Sequence, residues 1–222
     1  MRPFVFINVA SSVDGKISNE KRIQLRISSK EDLKRVDELR AKSDAIMVGI
    51  GTVLSDDPSL TVKSDELRRM RIREGKEPNP IRVVVDSKCR IPLNAKILDF
   101  SAKTIVAVSE KADFAKVKKL REIGVDIFIA GKDKVDLKAL MNYLYDRGVR
   151  VLMVEGGATL NWALLKENLV DEIYVYYGNI IIGGVKAPTI VDGVSFDRPI
   201  KLELIGFEKL GEGILTKWRI LR

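Results

Sequence analysis

Apolar positions along the chain fall into two rhythms, short unbroken runs and helical spacing. Phe4 to Ala10 is a short apolar run that ends in polar residues, which predicts a strand. Asp44 to Gly49, Ile81 to Asp86 and Thr104 to Val108 predict further buried strands, the first carried by Ala45-Ile46-Met47-Val48. Ser28-Ser29-Lys30-Glu31 offers a capping box, with Ser28 at the N-cap and Glu31 at N3, and Leu33, Val36, Leu39 and Arg40 follow at helical spacing. Residues 112–123 read as a helix with Phe114, Val117, Leu120 and Ile123 on one face and Gly124 at C′. Val125 to Ala130 returns as strand. Asp136 caps a helix through Leu137, Leu140, Met141 and Leu144 that stops at Gly148, and Val149 to Val154 is the next strand. Ala158 to Lys166 reads as helix and Val170 to Tyr177 as strand. Leu202 to Phe207 and Ile214 to Leu221 form two strands joined around Gly211-Glu212-Gly213.

This order, β-α-β repeated and then β-β, predicts an α/β fold whose sheet is largely parallel with an antiparallel C-terminal edge. No linker or internal repeat interrupts it, and Lys63 to Pro80 reads as a polar surface excursion. The expectation is one domain over residues 1–222.

Composition narrows the function. With 45% hydrophobic and 32% charged residues the chain builds a core and keeps a charged surface, which excludes disorder and low-complexity classes. The apolar run at Phe4 is too short for a secretory signal. No stretch approaches the ~18 apolar residues of a membrane span, so the expected compartment is the cytoplasm, with no membrane partner. There is no histidine and a single cysteine, Cys89. Cys/His zinc sites, Ser-His-Asp and Cys-His catalysis and internal disulfides are therefore excluded, and no metal is expected. Chemistry falls to carboxylates, lysines, hydroxyls, backbone amides or a cofactor. The net charge of +8 invites a nucleic-acid reading, but the 6% of aromatic residues do not interleave with the basic ones, and the excess suits anionic small molecules better. A single glutamine, Gln24, beside abundant Lys, Glu and Ile resembles a heat-adapted composition.

Four stretches can carry chemistry. In Val151-Leu152-Met153-Val154-Glu155-Gly156-Gly157-Ala158-Thr159-Leu160-Asn161 an apolar strand meets a glycine pair that opens a helix. The unpaired first amides and the positive end of the helix dipole suit a pyrophosphate; a tight turn is the plainer reading. Met47-Val48-Gly49-Ile50-Gly51-Thr52-Val53 also follows a strand, but Leu54 holds the third glycine position of a Rossmann fingerprint, and no acidic residue closes a following strand at the expected distance of ~20 residues. That fingerprint is rejected, leaving a glycine-lined loop or a simple turn. Ser55-Asp56-Asp57-Pro58 favours a turn over a metal site. Asn8 to Ile17 ends a strand in small residues, with Asp14-Gly15 as a turn signal. A ligand outside the carboxyl ends of these strands would meet three such loops at once.

Five ordered segments, Ala10-Ser11-Ser12-Val13-Asp14-Gly15-Lys16-Ile17, Leu39-Arg40-Ala41 with Asp44 to Gly49, Gly51 to Val62, Pro80 to Ser87 and Glu155 to Leu160, together resemble the reductases of riboflavin biosynthesis. Those occur as the C-terminal half of bifunctional deaminase-reductases and as stand-alone archaeal and fungal enzymes. The likeness runs end to end and includes Leu169-Val170-Asp171-Glu172 and Gly183-Gly184. It implies a dihydrofolate-reductase-like fold, a homodimer, and NADPH as hydride donor, with NADH the alternative. The implied substrate is 2,5-diamino-6-ribosylamino-4(3H)-pyrimidinone 5′-phosphate, its ribosyl group reduced to ribityl. Without histidine the chain cannot make the deaminase's zinc site, so it is expected to reduce and not deaminate.

Carried over by position, the resemblance implies cofactor contacts at Thr52, Asp56, Ser87, Gly131, Val154, Gly156, Gly157, Ala158, Thr159 and Leu160. Arg40, Leu60 and Lys63 are implied for the substrate, Arg40 for its phosphate. Lys63 stands where relatives often have arginine, and Arg26 lies near where bifunctional relatives carry tryptophan. Glu155 is the expected proton donor or, failing that, a ligand for the pyrimidine amino groups; Lys16 is a second candidate for charge stabilisation. The rival readings are another dihydrofolate-reductase-like pteridine or pyrimidine reductase, and a non-enzymatic nucleotide- or RNA-binding protein.

Overall fold

The apolar runs form strands and the capped periodic segments form helices. A computed structural model describes residues 1–23 and 25–222. In chain order the elements are β1 (Phe4–Ser11), α1 (Lys30–Lys42), β2 (Ala45–Gly49), α2 (Ile50–Asp56), α3 (Asp65–Arg73), β3 (Ile81–Val85) and β4 (Thr104–Val108). There follow α4 (Phe114–Glu122), β5 (Asp126–Ile129), α5 (Leu137–Asp146), β6 (Val151–Val154), α6 (Ala158–Lys166), β7 (Glu172–Tyr177), β8 (Leu202–Leu210) and β9 (Gly213–Ile220). The chain divides into two compact units, Met1–Pro3 with Asp37–Met153, and Phe4–Val36 with Val154–Arg222.

In the first unit the strands run in the order β5-β4-β3-β2-β6. β2 to β5 pair in parallel, with Ala45 opposite Ile81, Arg82 opposite Thr104 and Ile105 opposite Asp126. Ala45, Ile46, Met47 and Val48 are all at 0% exposure, as expected of a strand covered on both faces. α5 buries Leu137, Leu140, Met141 and Leu144, the stripe its periodicity predicts, and the Asp136 carboxylate accepts the Ala139 N–H at 2.9 Å. Arg82, wholly buried in β3, donates to Thr104 Oγ1 (2.9 Å), the Asp99 carboxylate (2.7 Å) and the Ala102 carbonyl (2.7 Å). A buried guanidinium is tolerable only with such a set of acceptors.

The polar excursion from Lys63 to Pro80 contains α3, which composition alone does not reveal. The Ser64 hydroxyl accepts the Leu67 N–H at its start (3.3 Å). Arg71 turns inward, to 2% exposure, and donates to the carbonyls of Ala41 and Ser43, each at 2.7 Å. Those carbonyls belong to the C-terminal end of α1, where the helix has no backbone partners for them.

In the second unit β1 pairs in parallel with β7, Phe6 opposite Glu172, and β7, β9 and β8 continue antiparallel. With the first unit this gives the expected α/β class, mostly parallel with an antiparallel edge. The start of α1 corrects the expected cap. The helix begins at Lys30, and Ser29, not Ser28, accepts the Asp32 N–H at 3.2 Å. The phase is set by Asp32, 1% exposed, which accepts from Arg35 Nε at 2.9 Å while Arg35 Nη2 donates to Asn8 of β1 at 2.8 Å. The inner side of this helix start is therefore polar, and Leu33 is left 51% exposed.

The turn after β1 is bound to the segment after β7. Asp14 accepts the Ser12 hydroxyl (2.6 Å) and the N–H groups of Ile182 (3.0 Å) and Gly183 (2.7 Å). Glu20 accepts the Lys186 N–H at 3.0 Å. Among the described residues no helix is long and apolar enough to cross a membrane.

Candidate active site

The first unit brings several of the expected residues to the carboxyl ends of its parallel strands. β2 runs into α2 at Gly49, whose lack of a side chain leaves the helix start uncapped from within. Thr52 and Asp56 lie half-buried on α2, and a Cβ built at Gly51 meets nothing within 4 Å. Asp57 ends this helix in the left-handed region (φ 42°) and accepts the Lys96 N–H at 2.8 Å, so the Asp-Asp-Pro stretch is a helix end and turn. Ser87 follows β3. Its hydroxyl oxygen accepts the Val135 N–H at 3.1 Å, which leaves the hydroxyl proton for a ligand. Gly131 follows β5 at φ +90°, where a Cβ would stand 2.1 Å from the Lys134 carbonyl oxygen. Glycine is required at that position by its own loop.

The residues expected for the substrate also gather within this unit. Arg40, in the last turn of α1, donates from Nη1 to the Thr61 carbonyl at 3.2 Å. The Lys63 ammonium donates to Ser59 Oγ (2.8 Å) and Thr61 Oγ1 (3.0 Å). Leu60 sits between those hydroxyl residues in the left-handed region, φ 46°, and is 3% exposed. Its apolar side chain anchors the segment while the polar neighbours stay together. Two cations beside two hydroxyls make a donor-rich cluster suited to an anion. Ser59 and Thr61 were not singled out from the sequence. Their signal is the alternation Ser59-Leu60-Thr61-Val62-Lys63, which sets polar residues two apart.

The second unit holds the glycine-pair turn. Val154 is buried at the end of β6, and Glu155 follows it half-buried. Gly156 is buried at φ +108°, a value that side chains rarely adopt, and open space surrounds the position a Cβ would take. The peptide between Gly156 and Gly157 is cis. Gly157 is the N-cap of α6 and offers no side chain to the first turn, made by Ala158, Thr159 and Leu160. Free helix-start amides beside an open glycine are the donor set that a pyrophosphate needs. Asn161 anchors the helix by donating to the Ile190 carbonyl at 2.8 Å. Lys16 donates to the Ala187 carbonyl at 3.3 Å, a loop-tying bond.

Residues 3–216 match the family described as RibD C-terminal domain. The chain belongs to that family. The chain is 57% identical over 222 residues to the 2,5-diamino-6-ribosylamino-4(3H)-pyrimidinone 5′-phosphate reductase of Archaeoglobus fulgidus, covering 100% of both chains. It is 43% identical over 223 residues to the protein of the same name from Methanothermobacter thermautotrophicus, covering 99% of each. Among solved structures it resembles a pyrimidine reductase-like protein of Corynebacterium diphtheriae, with TM-score 0.89 and 18% identity over 99% of this chain and 92% of that one. It also resembles the dihydrofolate reductase of Enterococcus faecalis, with TM-score 0.54 and 13% identity over 99% and 97%. These two likenesses concern the fold alone, and the expected dihydrofolate-reductase-like architecture of the RibD C-terminal domain is thereby shown.

Proposed function

We propose that this chain is a cytoplasmic NADPH-dependent reductase of riboflavin biosynthesis. It converts the ribosyl group of 2,5-diamino-6-ribosylamino-4(3H)-pyrimidinone 5′-phosphate to ribityl. The observation that carries this reading is full-length identity of 57% with the Archaeoglobus protein of that name. Both units serve one reductase domain.

The residues fit a nicotinamide dinucleotide. The α6 turn, Val154 to Leu160, takes the pyrophosphate on backbone amides, because Gly156 is open and Gly157 adds no competing side chain. Thr52 and Asp56 serve the cofactor from α2, Ser87 serves the adenosine phosphate with its hydroxyl proton, and Gly131 shapes the adjoining loop. When bound, the reduced nicotinamide supplies hydride for a C1′ carbonyl or imine of the opened sugar. Arg40 and Lys63 hold the substrate phosphate and Leu60 borders it. Positioning the two reacting carbons in contact is the larger share of the protein's work, since orientation turns an encounter into a near-attack geometry. The Glu155 carboxyl supplies the proton that balances hydride addition.

The functional unit is a homodimer. β8 is an edge strand exposed on both faces, with Phe207 at 74%, Leu204 at 46% and Leu202 at 39% exposure. A long apolar edge is a pairing surface unless it is covered.

The test is loss of nicotinamide absorbance when purified protein meets NADPH and this pyrimidine, with the ribityl product identified by mass. NADH run in parallel decides the dinucleotide preference. Absence of turnover with both, or salt-sensitive RNA binding in its place, would overturn the reading.

A further inference from the structure

We infer that Asp37 of α1 is a positioning residue for substrate phosphate, setting Lys63 beside Arg40 so that the two grip it from one side. This rests on the proposed reading of those two cations. Asp37 is 9% exposed, and both its oxygens bond backbone amides: the Lys63 N–H at 2.6 Å and the Ser64 N–H at 2.8 Å. A buried carboxylate costs free energy unless such donors meet it, so the pairing fixes the segment firmly. Arg40 lies three residues further along the same helix face and holds the Thr61 carbonyl. α1 thus grips residues 61 to 64 at three points. Between them the Lys63 side chain folds back onto Ser59 and Thr61. Both hydroxyl oxygens accept from the ammonium and the two hydroxyls bond each other at 3.3 Å, which leaves one hydroxyl proton to point at an anion. Leu60, buried with positive φ, fixes the bend that brings Ser59 beside Thr61. Helix α3 needs no help from Asp37 to begin, since Ser64 already accepts the Leu67 N–H.

The experiment compares wild type, Asp37→Asn, Lys63→Met and the double variant. Asparagine keeps one acceptor and turns an N–H₂ group against the other amide. Steady-state KM and kcat, NADPH affinity, and competitive inhibition by inorganic phosphate are measured. For Asp37→Asn the KM and the phosphate inhibition constant are expected to rise about tenfold, with kcat within about twofold and NADPH affinity unchanged. In the Lys63→Met background the same change adds less than about twofold, since the lever it moves is gone. An unchanged KM, or factors that multiply in the double variant, would overturn the assignment. If Asp37→Asn does not fold, Ser64→Pro removes one of the two amide donors at a position whose φ of −71° suits proline, with KM read relative to Ser64→Ala, which loses only the hydroxyl that caps α3. A raised KM there supports the role, and an unchanged one refutes it. Should the wild type fail to turn over the pyrimidine, the proposed function fails by itself. Phosphate titration by calorimetry on wild type and Asp37→Asn then still decides the positioning role.

Discussion

Gly156→Ala separates the cost of a backbone from the cost of a lost ligand contact. At φ +108° an alanine is strained, although its Cβ meets no protein atom within 4 Å. Strain of this kind costs about 1–3 kcal/mol, and the stiffer unfolded chain returns about 0.4–1 kcal/mol. A net loss near ~1–2 kcal/mol lowers the unfolding midpoint by roughly 2–8 °C in a chain of this length. The protein therefore stays folded at room temperature. The added methyl stands in the open space beside the α6 amides, where the pyrophosphate is proposed to lie. NADPH affinity, read by fluorescence titration, is expected to fall by at least about tenfold, a change of ~1.4 kcal/mol. Gly51→Ala is the matched control on α2. That position is helical with no positive φ, and its Cβ also meets nothing, so stability is expected to hold or rise by up to about 1 kcal/mol. Loss of NADPH affinity there reports ligand contact without strain. A folded Gly156→Ala protein that binds NADPH as wild type does would refute the α6 assignment.

Other expectations follow from single sites. Arg40→Ala is expected to raise KM for the phosphorylated pyrimidine by about 10- to 100-fold with little change in NADPH affinity, and the reverse pattern in steady-state kinetics would reassign it. The Ser12 hydroxyl, with the Ile182 and Gly183 N–H groups, holds Asp14 at about 2, below its ordinary 3.8. A lowered folded value means that its stabilisation is whole above pH ~4 and is lost as pH falls through about 2. Circular dichroism of Asp14→Asn over that window is expected to show a flatter acid response; a curve parallel to wild type counts against the clamp. Burial, reinforced by the nearby Asp86 carboxylate, pushes the Cys89 thiol up to about 11. Thiol reagents at pH ~8 are expected to label it only after unfolding, and fast labelling of the folded protein would contradict that. Phe207→Glu on the β8 edge is expected to yield monomers in sedimentation, whereas a dimer that survives it would move the interface elsewhere.

Elements whose signal is local were legible in the sequence. β4 and α6 have the boundaries their patterns predict, and Asp136 caps α5 as read. Gly124 is left-handed beyond the end of α4, as expected of a C′ glycine, while Phe114 and Ile123 of the predicted face remain exposed. What escaped depends on partners distant in sequence. α3 is rich in arginine and reads as loop, because Arg71 is buried largely by virtue of carbonyls some 30 residues earlier, at Ala41 and Ser43. The cap of α1 shifted by one residue because Arg35 and Asn8 fix the phase of Asp32. Within the proposed site, the glycines and cations are picked out in the sequence by residue type. Asp37 did not, since an aspartate in a polar helix looks like solvated surface until its two amide partners are seen.

If the bare start of α6 holds a dinucleotide as proposed, it would also tie folding to metabolism. Its first amides have no side chain of Gly157 to satisfy them. A dinucleotide that fills this gap binds the native chain and not the unfolded one, so mass action makes it a thermal protectant. At a hundredfold excess over its dissociation constant the gain is about 2.7 kcal/mol. The pool of reduced nucleotide would then govern how long each copy of the protein survives, as well as how fast it works.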